Sequence, residues 1–218
     1  QSYFLWTLTQ EQLKHCLFPI GDYVKPKVRI IARKFGLPNS DKKDSQGICF
    51  LGQVTLKDFL GNYLPEKKGL VLNTAGKVVG EHRGAHFYTI GQRGGLGLGG
   101  QKNPVYIAEK DIKENALLVA EENDPALYRH EINLRQINFI NKRLITNDKL
   151  QVMARVRYRQ PLAKATLVES RKSKVEFKLV FDKPQKFVAS GQSAVFYEYK
   201  RNPSASSGLM MLGGGVID

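Results

Sequence analysis

Cysteine is scarce here: two residues among 218, Cys16 and Cys49, which excludes a disulfide framework and makes a reducing, cytoplasmic setting the default. The two do not stand at metal-ligand spacing. The four histidines, His15, His82, His86 and His130, are scattered, and His82 and His86 sit in a Gly-rich segment without a nearby thiol, so no metal site is expected. Long apolar runs are missing as well. None approaches the roughly 18 residues of a membrane span, and no N-terminal stretch reads as a secretory signal. The chain opens at Gln1 without an initiator methionine, which suggests a fragment or a processed piece.

Acidic residues are in short supply: 20 against 34 Lys and Arg, a net charge of +14. The imbalance is uneven. Residues 1–50 hold 8 basic and 4 acidic side chains, residues 51–124 hold 9 of each, and residues 125–218 hold 17 and 7, or +10. A basic field concentrated in one segment points to a polyanion, most often nucleic acid, although a solvated basic surface remains the plain alternative.

What is present falls into three parts. "TLTQEQLKHCLFP" reads as a short helix capped by Thr9, with Gln12 at the capping-box position and Pro19 as its stop. Leu13, Cys16 and Leu17 then share a face, so Cys16 is expected to be a small buried hydrophobe. "KPKVRIIARKFGLP" predicts a second helix with Pro26 in its first turn and Gly36 and Pro38 at its end. Two helices in succession look like the tail of an α/β domain. Alone they cannot bury their apolar faces, so residues 1–45 are expected to be the least stable part.

Beyond Val54 the pattern turns to strands. "GLVLNTAGKVVGEH" and "PVYIAEKDIKENALLVA" read as strand pairs broken at "NTAG" and "KEN". "YTIGQRGGLGLGG" imitates a phosphate loop, but it lacks a GK[ST] ending and a following helix pattern, so a hinge or tight backbone approach is the better reading. The last segment alternates throughout, as in "KVEFKLVF", and about six short strands there suggest a small closed barrel. In "LQVMARVRYRQ", regular alternation would align Arg155, Arg157 and Arg159 on one face, a row suited to phosphate oxygens.

"KKDSQGICFLG" places Cys49 near Lys42 and Lys43 and between Gly47 and Gly52. Positive potential and a mobile loop suit a reactive thiolate, whereas "ICFL" also suits a buried strand start. Local chemistry leaves both open.

Taken in order, "QSYFLWTL", "LFPIGDYVKPKVRIIARKFGL", "KKDSQGICFLG", "FYTIGQRGGLGLGG", "RYRQ" and "GQSAVFY" resemble the C-terminal portion of the bacterial tRNA-specific 2-thiouridylases, across essentially the whole chain. The resemblance implies a mixed, mainly β architecture. Residues 1–48 would be the helical end of an α/β pyrophosphatase-loop catalytic domain, 49–122 a small central β-rich domain, and 123–218 a six-stranded β-barrel that helps hold tRNA. It implies an enzyme that activates C2 of the wobble uridine (position 34) with ATP and delivers sulfur from a cysteine persulfide. Cys49 corresponds to the persulfide cysteine. Gln1, Arg157, Tyr158 and Gln192 correspond to tRNA-contacting positions, and Tyr158 fits only if its strand ends or bulges nearby. The partners implied are tRNA and a persulfide donor protein. The family's SGGxDS-type ATP loop and first catalytic cysteine belong upstream of Gln1, so this chain alone is expected to hold no ATP and to be inactive. The rival reading is a non-catalytic RNA-binding module with an inert Cys49.

Overall fold

The computed structural model describes residues 2–42, 56–99, 103–140, 149–170, 177–199 and 208–218. Cys49, with its glycine and lysine surroundings from Lys43 to Gly52, and Gln1 lie outside them.

The helix starts and the Gly36 stop act as expected, but the first helix ends at Lys14, short of the expected stop at Pro19. Helix α1 (Gln10–Lys14) opens with a full capping box: Gln12 N–H donates to the Thr9 hydroxyl, and Thr9 N–H donates to Gln12 Oε1 at 2.9 Å. Helix α2 (Lys25–Lys34) has its proline in the first turn and ends in a Schellman pattern. There Leu37 N–H reaches Ala32 O at 3.0 Å and Gly36 N–H reaches Arg33 O at 2.9 Å, with Gly36 at φ 66°. No residue of either helix is buried, and Leu17, Val24 and Phe35 stand 90%, 72% and 73% exposed. Cys16 therefore departs from its expected burial. It lies past the end of α1, half-exposed, with its Sγ 3.3 Å from Gln12 O, because no element among the described residues covers that face.

The six residues before α1 behave differently. A 3-10 turn over Ser2–Thr7 buries Tyr3 and Trp6. Both lie against Val195, Tyr197, Met153, Leu162, Leu209, Met211 and Val216, which are barrel side chains. Asn138 Nδ2 donates to the carbonyls of Trp6 (2.6 Å) and Leu8 (2.9 Å) and fixes the path of the segment across the barrel wall. Tyr3 and Trp6 thus pack on the far end of the sequence, while Phe4 between them stays exposed.

After α3 (Leu56–Gly61), strands β1 (Gly69–Asn73), β2 (Val78–His82), β3 (Val105–Asp111) and β4 (Ala116–Glu121) form a sheet in the order β2-β1-β4-β3. Only β1 and β4 run parallel. Both anticipated breaks are turns. Asn73 Oδ1 accepts the N–H groups of Ala75 and Lys77, with Gly76 at φ 76°, and Asp111 Oδ1 accepts those of Lys113 and Glu114. Val71, Ile107, Leu117 and Val119 make the core of this unit, closed by Leu96 from the Gly-rich segment.

The barrel is built from β5 (Tyr128–Phe139), β6 (Lys149–Arg155), β7 (Ala163–Glu169), β8 (Phe177–Lys186), β9 (Ser193–Tyr199) and β10 (Leu209–Ile217). They close in the order β10-β5-β8-β7-β6-β9 with every pair antiparallel, so no edge is left open. Leu134, Ala154, Leu179, Phe181, Phe196 and Leu212 fill the interior. On β9, Ala194 and Phe196 point in, while Val195 and Tyr197 point out and are buried only because Tyr3 and Trp6 lie over them.

Candidate nucleic-acid interface

The strand carrying the arginines ends sooner than its alternation suggests. β6 stops at Arg155, and residues 156–159 form a turn. Pro161 has no N–H to extend the ladder, Val156 N–H finds the Gln160 side chain instead of a strand, and Arg159 adopts φ 67°. The expected row of three arginines on one face is therefore broken into three environments. Arg155 lies over the Tyr197 ring at 5.4 Å. Arg157 turns toward the sheet unit and donates from Nη2 to Ile90 O at 2.9 Å. Arg159 stays at the surface with its guanidinium 5.3 Å from the Tyr158 ring centre. The same turn frees Tyr158 from the opposite face of a regular strand, the condition its correspondence needed.

Tyr3 joins these pieces. Its hydroxyl donates to Ser193 O at 2.5 Å, next to the exposed Gln192, and its ring stands 5.8 Å from that of Tyr158. Gln192 sits in the turn between β8 and β9, where its own carbonyl accepts Ile217 N–H at 2.8 Å. Burial pushes the Tyr3 hydroxyl up to about 12, opposed in part by Arg155 and Arg157. Among the candidate positions, the structure brings Tyr158, Gln192 and Arg157 around one tyrosine, two residues from Gln1 in sequence.

Phe4 was not singled out by the sequence reading. It is 59% exposed, its ring 5.2 Å from Tyr3 and 5.3 Å from Tyr158, which is itself 38% exposed. Two exposed rings with Arg159 above one of them form a platform of the kind on which unpaired bases stack. The signal was the aromatic pair in "SYF", but only the docking of the Ser2–Thr7 turn puts it beside Tyr158.

The Gly-rich segment makes the tight backbone approach that its sequence suggested. Gly91, at φ 81°, donates its N–H to Ile107 O at 2.8 Å. A Cβ there would come within 2.6 Å of the Phe187 ring and 3.0 Å of Arg157. Around that crossing, Tyr106 and Phe187 rings meet at 5.2 Å, Arg129 pairs with Glu109 at 2.5 Å, and Lys186 pairs with Glu122 beneath Tyr106 and Phe187. Among the described residues no helix start follows the glycines, and the segment serves as a backbone crossing.

His82 is a structural histidine. Its Nδ1 accepts Gly84 N–H at 2.9 Å, which leaves Nε2–H to donate to Asn115 O at 3.1 Å, and burial holds its pKa below the ordinary value. No group of three or more metal-ligating side chains exists among the described residues, and no helix among them is long and apolar enough to cross a membrane.

Three protein-family models match the chain in succession. They are described as a tRNA methyl transferase HUP domain (residues 1–53), a tRNA methyl transferase PRC-barrel domain (57–121) and an aminomethyltransferase beta-barrel domain (129–217). Proteins named tRNA-specific 2-thiouridylase MnmA are similar over 100% of this chain: 42% identical in Shewanella sp. (strain MR-4), 41% in Vibrio cholerae and 43% in Mannheimia succiniciproducens. The chain spans 57% of the length of the first two and 54% of the third. With this identity sustained from end to end and the three domain matches in order, the chain is similar throughout to the tRNA-specific 2-thiouridylases.

Proposed function

We propose that these residues form part of a cytoplasmic tRNA-uridine 2-sulfurtransferase that thiolates C2 of the wobble uridine, position 34. The observation that carries the reading is the 42% identity, over the whole chain, with a protein named tRNA-specific 2-thiouridylase, reinforced by the aromatic and basic cluster around Tyr3. In this proposal tRNA lies against Gln1, Tyr158 and Gln192. Arg157 contributes through guanidinium donors other than the one given to Ile90. Residues 1–48, 49–122 and 123–218 act as the end of a catalytic domain, a central β-rich domain and the tRNA-holding barrel.

Cys49 carries the sulfur. Its thiolate attacks the outer sulfur of a donor protein's persulfide, breaking that S–S bond and releasing the donor thiolate, and the resulting Cys49 persulfide turns its terminal sulfur to C2, which must first be made electrophilic. ATP supplies that activation in the whole enzyme. The described residues do not fit ATP and the sequence has no SGGxDS-type loop, so no activation step is assigned to them, and these 218 residues alone are expected to show no ATP-dependent thiolation.

In the full-length enzyme, Cys49→Ser should abolish thiolation and leave tRNA binding nearly intact, while Cys16→Ser, half-exposed beyond α1, should retain most activity. Equal loss from both would overturn the assignment. Alkylation under native conditions separates this reading from an RNA-binding module: rapid modification of Cys49 supports the sulfur carrier, and protection supports the module.

A further inference from the structure

A groove of about 670 Å³ opens on the barrel beside the turn that carries Tyr158 and Arg159. Its walls are the Tyr128 ring, Pro161, Leu162 and Pro184, and Lys164 and Lys183 stand at its rim with Asp182. Gln185, only 8% exposed, lies inside. Its Nε2 donates to Lys183 O at 2.8 Å, but its Oε1 has only a long 3.5 Å contact from Gln160 Nε2. A buried amide oxygen so weakly satisfied is costly beside an apolar wall, and a ligand N–H would complete it.

We propose that this groove receives one unpaired nucleotide of the bound RNA. The reading rests on the proposed tRNA function and extends it past Tyr158. Each part of a nucleotide has a counterpart: flat apolar walls for the faces of the base, the Gln160–Gln185 amides for its hydrogen-bonding edge, and the rim lysines for its phosphates. Lys186 is already paired with Glu122, whereas Lys164 and Lys183 make no ion pair among the described residues, and together they outweigh Asp182. A strand stacked on Phe4 and Tyr158 reaches the groove along Gln160, Pro161 and Leu162, which follow Tyr158 in sequence and line the groove. Of the occupants such a groove admits, charge favours the anionic one, and the barrel segment's excess of 17 basic over 7 acidic residues agrees.

The test uses the full chain, a tRNA transcript and an oligouridylate carrying 4-thiouridine. The double variant Lys164→Gln/Lys183→Gln should weaken tRNA binding about tenfold at physiological salt and lower the log K against log salt slope by about 1.4, two single-strand phosphate contacts. The control Lys149→Gln/Lys178→Gln removes the same charge elsewhere on the barrel and should change binding less than the groove pair. Photocrosslinks should map to residues 160–164 or 183–186. If the wild-type chain binds tRNA but the two double variants behave alike, or if crosslinks fall only elsewhere, the groove proposal fails and the tRNA reading stands. If the wild-type chain binds no tRNA at all, both fall.

Discussion

Trp6 is the one tryptophan of the chain, and it lies 5% exposed on the outer wall of the barrel. The wall is shaped for it. A Cβ at Gly214 would fall 2.7 Å from the indole, so the glycine run in β10 provides room that no other residue allows. An indole removes about 200 Å² from water, and at about 25 cal/mol per Å² its loss costs up to about 5 kcal/mol. Large-to-small substitutions at buried aromatic sites fall near this, at about 3–5 kcal/mol. Trp6→Ala should therefore destabilise the barrel by about 4 kcal/mol. With a urea dependence of about 2 kcal/mol per molar, the midpoint should fall by about 2 M. The wild-type chain carries its own reporter. Native Trp6 emission should be blue-shifted, and its loss in urea should coincide with the loss of barrel circular dichroism. A solvent-like emission maximum, a fluorescence transition well ahead of the barrel's, or a change within the roughly 0.5 kcal/mol of an ordinary surface substitution would refute the docking of Ser2–Thr7.

Arg157→Ala should cost about 1–3 kcal/mol by leaving Ile90 O without its donor, and should flatten the salt dependence of tRNA binding if Arg157 also meets a phosphate. Loss of stability with an unchanged slope would confine it to the seam between sheet and barrel. Gly91→Ala should destabilise by about 2–4 kcal/mol in thermal unfolding, since it adds a Cβ at φ 81° against Phe187; a neutral effect would contradict the crossing. Tyr3, raised to about 12, holds its proton in the fold after the unfolded chain has lost its own near 10. Stability should thus fall as pH rises from 10 toward 12, and less steeply in Tyr3→Phe, as followed by tyrosinate absorbance and unfolding. His82, depressed by burial, works the other way: its contribution is present above its ordinary 6.5 and is lost as pH falls. Protection factors in β1 and β4, corrected for the intrinsic slowing of amide exchange in acid, should fall on acidification, and unchanged protection down to low pH would refute it.

Much of the molecule was legible from local rules. The Thr9–Gln12 capping box, the Gly36 stop, the Asn73 and Asp111 turns and the closed barrel each follow from side chains a few residues apart or from strict alternation. The likeness to the family was legible from long ordered motifs. What failed was the assumption that alternation persists: nothing local to "RVRYRQ" showed that Arg157 would leave the strand for Ile90, 67 positions away. Likewise "SAVFYEY" reads as a strand without saying why Val195 and Tyr197 on its outer face are apolar. That answer lies in Tyr3 and Trp6, nearly the whole chain distant. Hydrogen-bonding caps and pleat periodicity are properties of neighbours, so the sequence by itself determined them. Which strand face is covered, where an arginine finds its acceptor, and which aromatic rings gather around Tyr158 depend on distant segments meeting, and only the tertiary structure decided those.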